Sequence, residues 1–187
     1  MLDLSQIATY YPPALQPFRR FILREYLQHK LLQLIYESSY ADRFTFLGGT
    51  CLRIVHGNQR FSEDLDFDNT GITEADFDAL SRVVEAGLER EGYQVEMRLV
   101  MKGAYHCHIK FPALLFQQGL SGYEQEKILI QLDTDRIAEA TAALYLHPGA
   151  VSAQPLRCVH PTSDHPAGFA TGSEILCNFE SGAQQGS

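Results

Sequence analysis

Two short runs hold the residues able to do chemistry: Phe46-Leu47-Gly48-Gly49-Thr50 and, about a dozen residues on, Arg60-Phe61-Ser62-Glu63-Asp64-Leu65-Asp66-Phe67-Asp68. In the second run acidic and apolar residues alternate with the period of a β-strand. That period sets Asp64, Asp66 and Asp68 on one face and Leu65 and Phe67 on the other. Like charges gathered on one face repel each other, and a cation among them offsets the repulsion. A hard divalent ion such as Mg2+ suits carboxylate oxygens best. In the first run two glycines follow an apolar stretch and precede Thr50-Cys51-Leu52-Arg53-Ile54-Val55-His56-Gly57. This order predicts a strand, a tight turn and a short helix closed by Gly57. Backbone N–H groups at such a turn approach a phosphate closely, and the helix dipole favours the anion. A phosphate cradle beside metal-binding carboxylates is what metal-dependent phosphoryl transfer requires.

The elements that position these runs follow from periodicity. Residues 1–15 contain Tyr10-Tyr11-Pro12-Pro13 and are expected to be a helix-free leading segment. From Pro17 to Glu37, Phe18, Phe21, Ile22, Tyr26, Leu31, Leu34 and Ile35 recur at helical intervals, as in an amphipathic scaffold helix. Phe44 to Leu47 reads as a short buried strand. Thr73 reads as the N-cap of a helix through Phe77, Leu80, Val83, Val84 and Leu88, with Glu74 and Asp76 in its first turn and Gly92 at its end. Tyr93–Met101 and Ala104–Phe111 flank a Lys102-Gly103 turn and predict a hairpin. Pro112–Tyr123 reads as a loop with an apolar patch. Lys127–Asp133 reads as a strand, with Asp133 at its C-terminal end on the same face as Gln131.

The bulk properties narrow the field. With 187 residues and 45% hydrophobic composition, one domain with a real core is expected. A net charge of -8 argues against coating nucleic acid by bulk attraction, although Arg53, Arg60, Arg98, Lys102 and Lys110 could supply a local basic pocket. Nothing reads as a signal peptide or membrane span. Cys51, Cys107, Cys158 and Cys177 show neither metal nor disulfide spacing, which suits reduced thiols in a cytoplasmic protein. His106-Cys107-His108 looks metal-like, but strand geometry sends its histidines and its cysteine to opposite faces, and a structural role is expected. After about Ala150 the composition turns to Pro, Gly, Ser and Ala without period. The expected division is therefore a domain over 1–150 and an irregular or disordered tail over 151–187.

Leu47-Gly48-Gly49-Thr50 with Arg60-Phe61-Ser62-Glu63-Asp64-Leu65-Asp66-Phe67 resembles the polymerase-beta-like nucleotidyltransferases, and more narrowly the AbiEii/AbiGii family of toxin components of bacterial toxin–antitoxin and phage-defence systems. The likeness covers roughly residues 15–135. It implies an α+β fold with a mixed, mostly antiparallel sheet flanked by helices. It also implies an NTP substrate, catalytic Mg2+ (or Mn2+ in its place), and transfer of a nucleotidyl group to a tRNA end or a protein hydroxyl, with a cognate antitoxin as partner and no membrane. Carried onto this chain, the resemblance implies that Gly48, Gly49 and Thr50 hold the triphosphate, with Ser62 beside it. It makes Asp64 and Asp66 metal ligands and Asp133 the third carboxylate, placed to help accept the proton of the acceptor hydroxyl. The family continues into a helical C-terminal region whose Lys, Arg and Asp residues complete the site. Here the aperiodic segment after Ala150 stands in its place, as in a truncated or frame-shifted member.

Two other functions fit parts of the pattern. A catalytically degenerate domain would keep the fold to bind a nucleotide or a partner. An Asp-dependent phosphatase is imitated by Asp66-Phe67-Asp68-Asn69-Thr70, but Ser62-Glu63-Asp64-Leu65 is no buried parallel strand leading into it. A calcium loop fails because Gly71 falls too late and Ala75 stands where the bidentate Glu belongs.

Overall fold

A computed structural model describes residues 3–137 of the chain. Its elements run α1 (Leu4–Ala8), α2 (Arg19–Tyr36), a 3-10 turn (Ala41–Arg43), β1 (Phe44–Leu47), α3 (Gly48–Ile54), β2 (Leu65–Asn69), α4 (Glu74–Arg90), β3 (Glu96–Lys102), β4 (Ala104–Phe111), α5 (Leu114–Gln117) and β5 (Ile128–Arg136). The five strands form one sheet in the order β1-β2-β5-β4-β3. Only the β2–β5 pair is parallel; β1–β2, β3–β4 and β4–β5 are antiparallel. This is the mixed, mostly antiparallel α+β architecture that the family resemblance implies.

The two faces of the sheet differ because the strand residues alternate. Phe44, Phe46, Leu65, Phe67, Cys107, Ile109, Phe111, Ile130 and Leu132 are buried and join the core built by α2 and α4. Asp66, Asp68, Gln131, Asp133, His106 and His108 stand at the alternate positions, half-exposed. α2 supplies Ile22, Leu23, Tyr26, Leu27, Leu31, Leu32 and Ile35, and α4 supplies Phe77, Leu80, Val84 and Leu88. The helices approach closely at Gly87, where an added Cβ would lie 2.4 Å from a Leu34 methyl. α4 starts as expected: Thr73 and Asp76 form a reciprocal capping box.

Four expectations change. The leading segment is not helix-free, because Asp3 caps α1 by accepting from the Ser5 N–H at 2.7 Å. Pro12 and Pro13 lie beyond the end of that helix and do not interrupt it, and Leu4 and Ile7 are buried. The loop over 112–123 contains the short helix α5, anchored by buried Leu114 and Leu115. The first hairpin strand starts at Glu96, not Tyr93, since the Tyr93 N–H still bonds the Leu88 carbonyl beyond the end of α4. Asp133 lies within β5 and not at its end, because Thr134, Asp135 and Arg136 continue the pairing with Phe67, Asp68 and Asn69. The expected tail over 151–187 lies outside the described residues.

Candidate active site

The site begins at the end of β1. Gly48 has φ +78°, a conformation that favours glycine, and a Cβ there would fall 2.1 Å from Oδ2 of Asp66. The backbone turn therefore presses directly against the Asp66 carboxylate. A Cβ on Gly49 would lie 2.9 Å from the Ser62 hydroxyl, so both glycines make room for the acidic run. Thr50 turns inward, fully buried, and its hydroxyl donates to the Asp64 carbonyl. Gly48, Gly49 and Ser62 thus gather where the sequence puts them, with Thr50 tying the turn to the acidic strand through its side chain.

Asp66 of β2 and Asp133 of β5 are direct partners in the parallel register. Asp64 comes just before β2. Partial burial raises the pKa of both Asp64 and Asp66, and the charge of Asp133 raises both further; Glu63 adds to the effect on Asp64, and Asp64 to that on Asp66. The three carboxylates therefore feel one another. Asp68 is also raised, by burial and then by Asp135, and lies one step further along β2. On the far side of Asp133, His106 Nδ1 lies 2.7 Å from Oδ1, and the Gln131 side-chain amide donates to Oδ2 at 2.8 Å.

Among the described residues no group of three or more His, Cys, Asp or Glu side chains forms a ready-made metal cage. A complete protein cage is not what Mg2+ needs, since it is commonly held by one or two carboxylates together with substrate phosphates. Asp64 and Asp66 fit that requirement: hard oxygen donors, mutually repelling, with Asp66 packed against a side-chain-free glycine backbone.

α2 braces this region with polar groups that its apolar period conceals. Glu25 and Arg53 form an ion pair at 2.6 Å with side chains only 6% and 9% exposed. Arg53 also donates to the Asn58 carbonyl at 2.8 Å and lies 4.4 Å over the Phe61 ring. The Gln28 amide donates to the Ser62 carbonyl at 3.2 Å. His29 is wholly buried, and desolvation followed by the Arg53 charge pushes its pKa down to about 4. Arg53 is accordingly committed to Glu25 and does not serve an open basic pocket. Arg60, Lys102 and Lys110 remain exposed. Cys107 lies on the buried face, its thiol pushed up to about 12 by burial and by Glu85. It is separated by the strand from His106 and His108, as alternation requires.

Sequence reasoning passed over Glu25, Gln28 and His106 as site-bracing residues. The signal for the first two was polar residues within an otherwise apolar helix; for His106 it was alternation, which puts it on the acidic face.

The chain thus combines an acidic strand pair and a glycine turn on a mostly antiparallel α+β sheet. Residues 30–160 match the family described as "Nucleotidyl transferase AbiEii toxin, Type IV TA system", and the chain belongs to that family. Among solved structures it is similar to JHP933 from Helicobacter pylori, with 16% identity and a TM-score of 0.44 over 63% of this chain and 44% of that one. A second H. pylori chain, described as a candidate nucleotidyltransferase, has 16% identity and a TM-score of 0.43 over 62% of this chain and 45% of that one. The chain thus spans less than half the length of either structure. No curated protein matches it. No helix among the described residues is long and apolar enough to cross a membrane.

Proposed function

We propose that the protein is a divalent-metal-dependent nucleotidyltransferase, the cytoplasmic toxin component of a toxin–antitoxin pair. The observation that carries this reading is the register pairing of Asp66 with Asp133, with the Asp66 carboxylate pressed against the Gly48 turn. Asp64, Asp66 and Asp133 would hold Mg2+ or Mn2+, which when bound polarises the α-phosphate and lowers the pKa of the acceptor hydroxyl. Gly48 and Gly49 offer backbone close to the triphosphate, and Ser62 borders it. The hydroxyl oxygen of a tRNA end or a protein side chain attacks the α-phosphorus. The bond to the β-phosphate oxygen breaks, pyrophosphate leaves, and Asp133 helps to accept the hydroxyl proton.

The test is incubation of the full chain with labelled NTPs, Mg2+ and total tRNA or cell protein. Label is expected in one acceptor class, and none with Asp66→Ala. Nucleotide binding without transfer under every acceptor would replace this reading with that of a degenerate binding module.

A further inference from the structure

Asp133 is held at both oxygens, from two directions. Its partner on β4 in the antiparallel register is His106, and its partner on β2 in the parallel register is Asp66. Asp66, Asp133 and His106 therefore form a row across three adjacent strands, on the face away from the core. His106 Nδ1 reaches Oδ1 at 2.7 Å, and Gln131, two residues back on β5, donates to Oδ2 at 2.8 Å. With the Asp133 oxygen as acceptor, the donor in this contact is the Nδ1–H tautomer of the His106 ring. Each Asp133 oxygen keeps a further lone pair after accepting one bond. The carboxylate is braced and not used up.

We propose that His106 is the positioning residue of the site. Its Nδ1–H fixes the Asp133 side chain from the side opposite Asp66, so that the third carboxylate stays open and correctly turned for the divalent ion. The inference rests on the reading of Asp133 as a metal-side carboxylate. Its physical basis is cooperation between a ligand and the group that orients it: a free Asp133 would swing away from Asp66 to relieve like-charge repulsion. A donor on its far oxygen offsets part of that charge and removes the swing. His108 provides a built-in comparison. It lies on the same strand and face but opposite Gln131, not Asp133.

The experiment is Mn2+ binding to the full chain, followed by electron paramagnetic resonance with and without a non-hydrolysable NTP analogue. His106→Ala should weaken Mn2+ binding by about ten- to a hundredfold. His106→Asn, whose amide nitrogen stands near the position of Nδ1, should recover most of the loss, and His108→Ala should bind as the unaltered protein does. Affinity in His106→Ala within twofold of the unaltered protein, or tighter, would overturn the positioning role. So would a loss that His106→Asn does not recover. Asp66→Asn separates the two readings. If it abolishes Mn2+ binding while His106→Ala does not, only the positioning role fails; if the unaltered chain binds no Mn2+, both fail.

Discussion

Two clusters of charge lie within this small domain and are treated in opposite ways. Glu25 and Arg53 are almost wholly removed from water, yet each faces its counter-charge at 2.6 Å, and Arg53 has the Asn58 carbonyl and the Phe61 ring besides. Asp64, Asp66 and Asp133 are less buried but share one sign, and the first two are shifted upward by partial burial and then by that shared sign. The first cluster is complete as it stands and holds α2 to α3. On the function proposed above, the second is completed by a cation from outside. On that reading the paired charge is scaffold and the like-charge cluster is the site, a distinction that composition alone does not make.

Breaking the compensated pair should have the largest effect on folding. Glu25→Ala leaves the Arg53 guanidinium buried and unpaired, and a loss of about 3–5 kcal/mol is expected in urea unfolding. Replacing both partners by apolar residues of similar volume should recover much of that loss, because no lone charge remains.

A smaller effect sharpens the contrast at the glycine turn. Gly48→Ala should lose about 1–2 kcal/mol of stability from the left-handed backbone, and it should also displace the Asp66 carboxylate and weaken Mn2+ binding. Gly57 has φ +68° but nothing within 4 Å of an added Cβ. Gly57→Ala should therefore show a similar backbone loss in thermal unfolding and leave Mn2+ binding intact.

The smallest effect is the pH dependence. The folded-state pKa of Asp64 and Asp66 is raised, so the native chain binds more protons than the unfolded one in that range. Their charge destabilises the metal-free fold fully above the raised values, and the penalty is relieved as pH falls through them toward about 3.9. Asp64→Asn should flatten this part of the stability profile, measured by melting in metal-free buffer.

The acidic strand, the glycine turn, the Thr73 cap and the Lys102-Gly103 turn were legible because each is local, written in adjacent residues as alternation, a cap or a breaker. What was not legible depends on contacts distant in sequence. Helix α1 forms through the Asp3 cap and burial of Leu4 and Ile7 against α2, neither of which Pro12 and Pro13 reveal. β5 runs past Asp133 because β2 offers it a partner as far as Asn69, and the buried Asn69 amide donates to the Thr134 hydroxyl at 2.9 Å. Glu25 looked like one more polar position on a scaffold helix until Arg53 came to face it. His106 and Asp133 are adjacent only through strand register, which no local pattern specifies.

The most direct measurement of the central claim is the melting temperature of the unaltered chain and of Asp66→Asn, each with and without Mn2+ plus a non-hydrolysable NTP analogue. Removing a repelling charge should make metal-free Asp66→Asn melt higher than the unaltered chain, while metal and nucleotide together should raise only the unaltered chain. A metal-free Asp66→Asn that melts lower, together with an unaltered chain indifferent to Mn2+, would show that these carboxylates are not waiting for a cation.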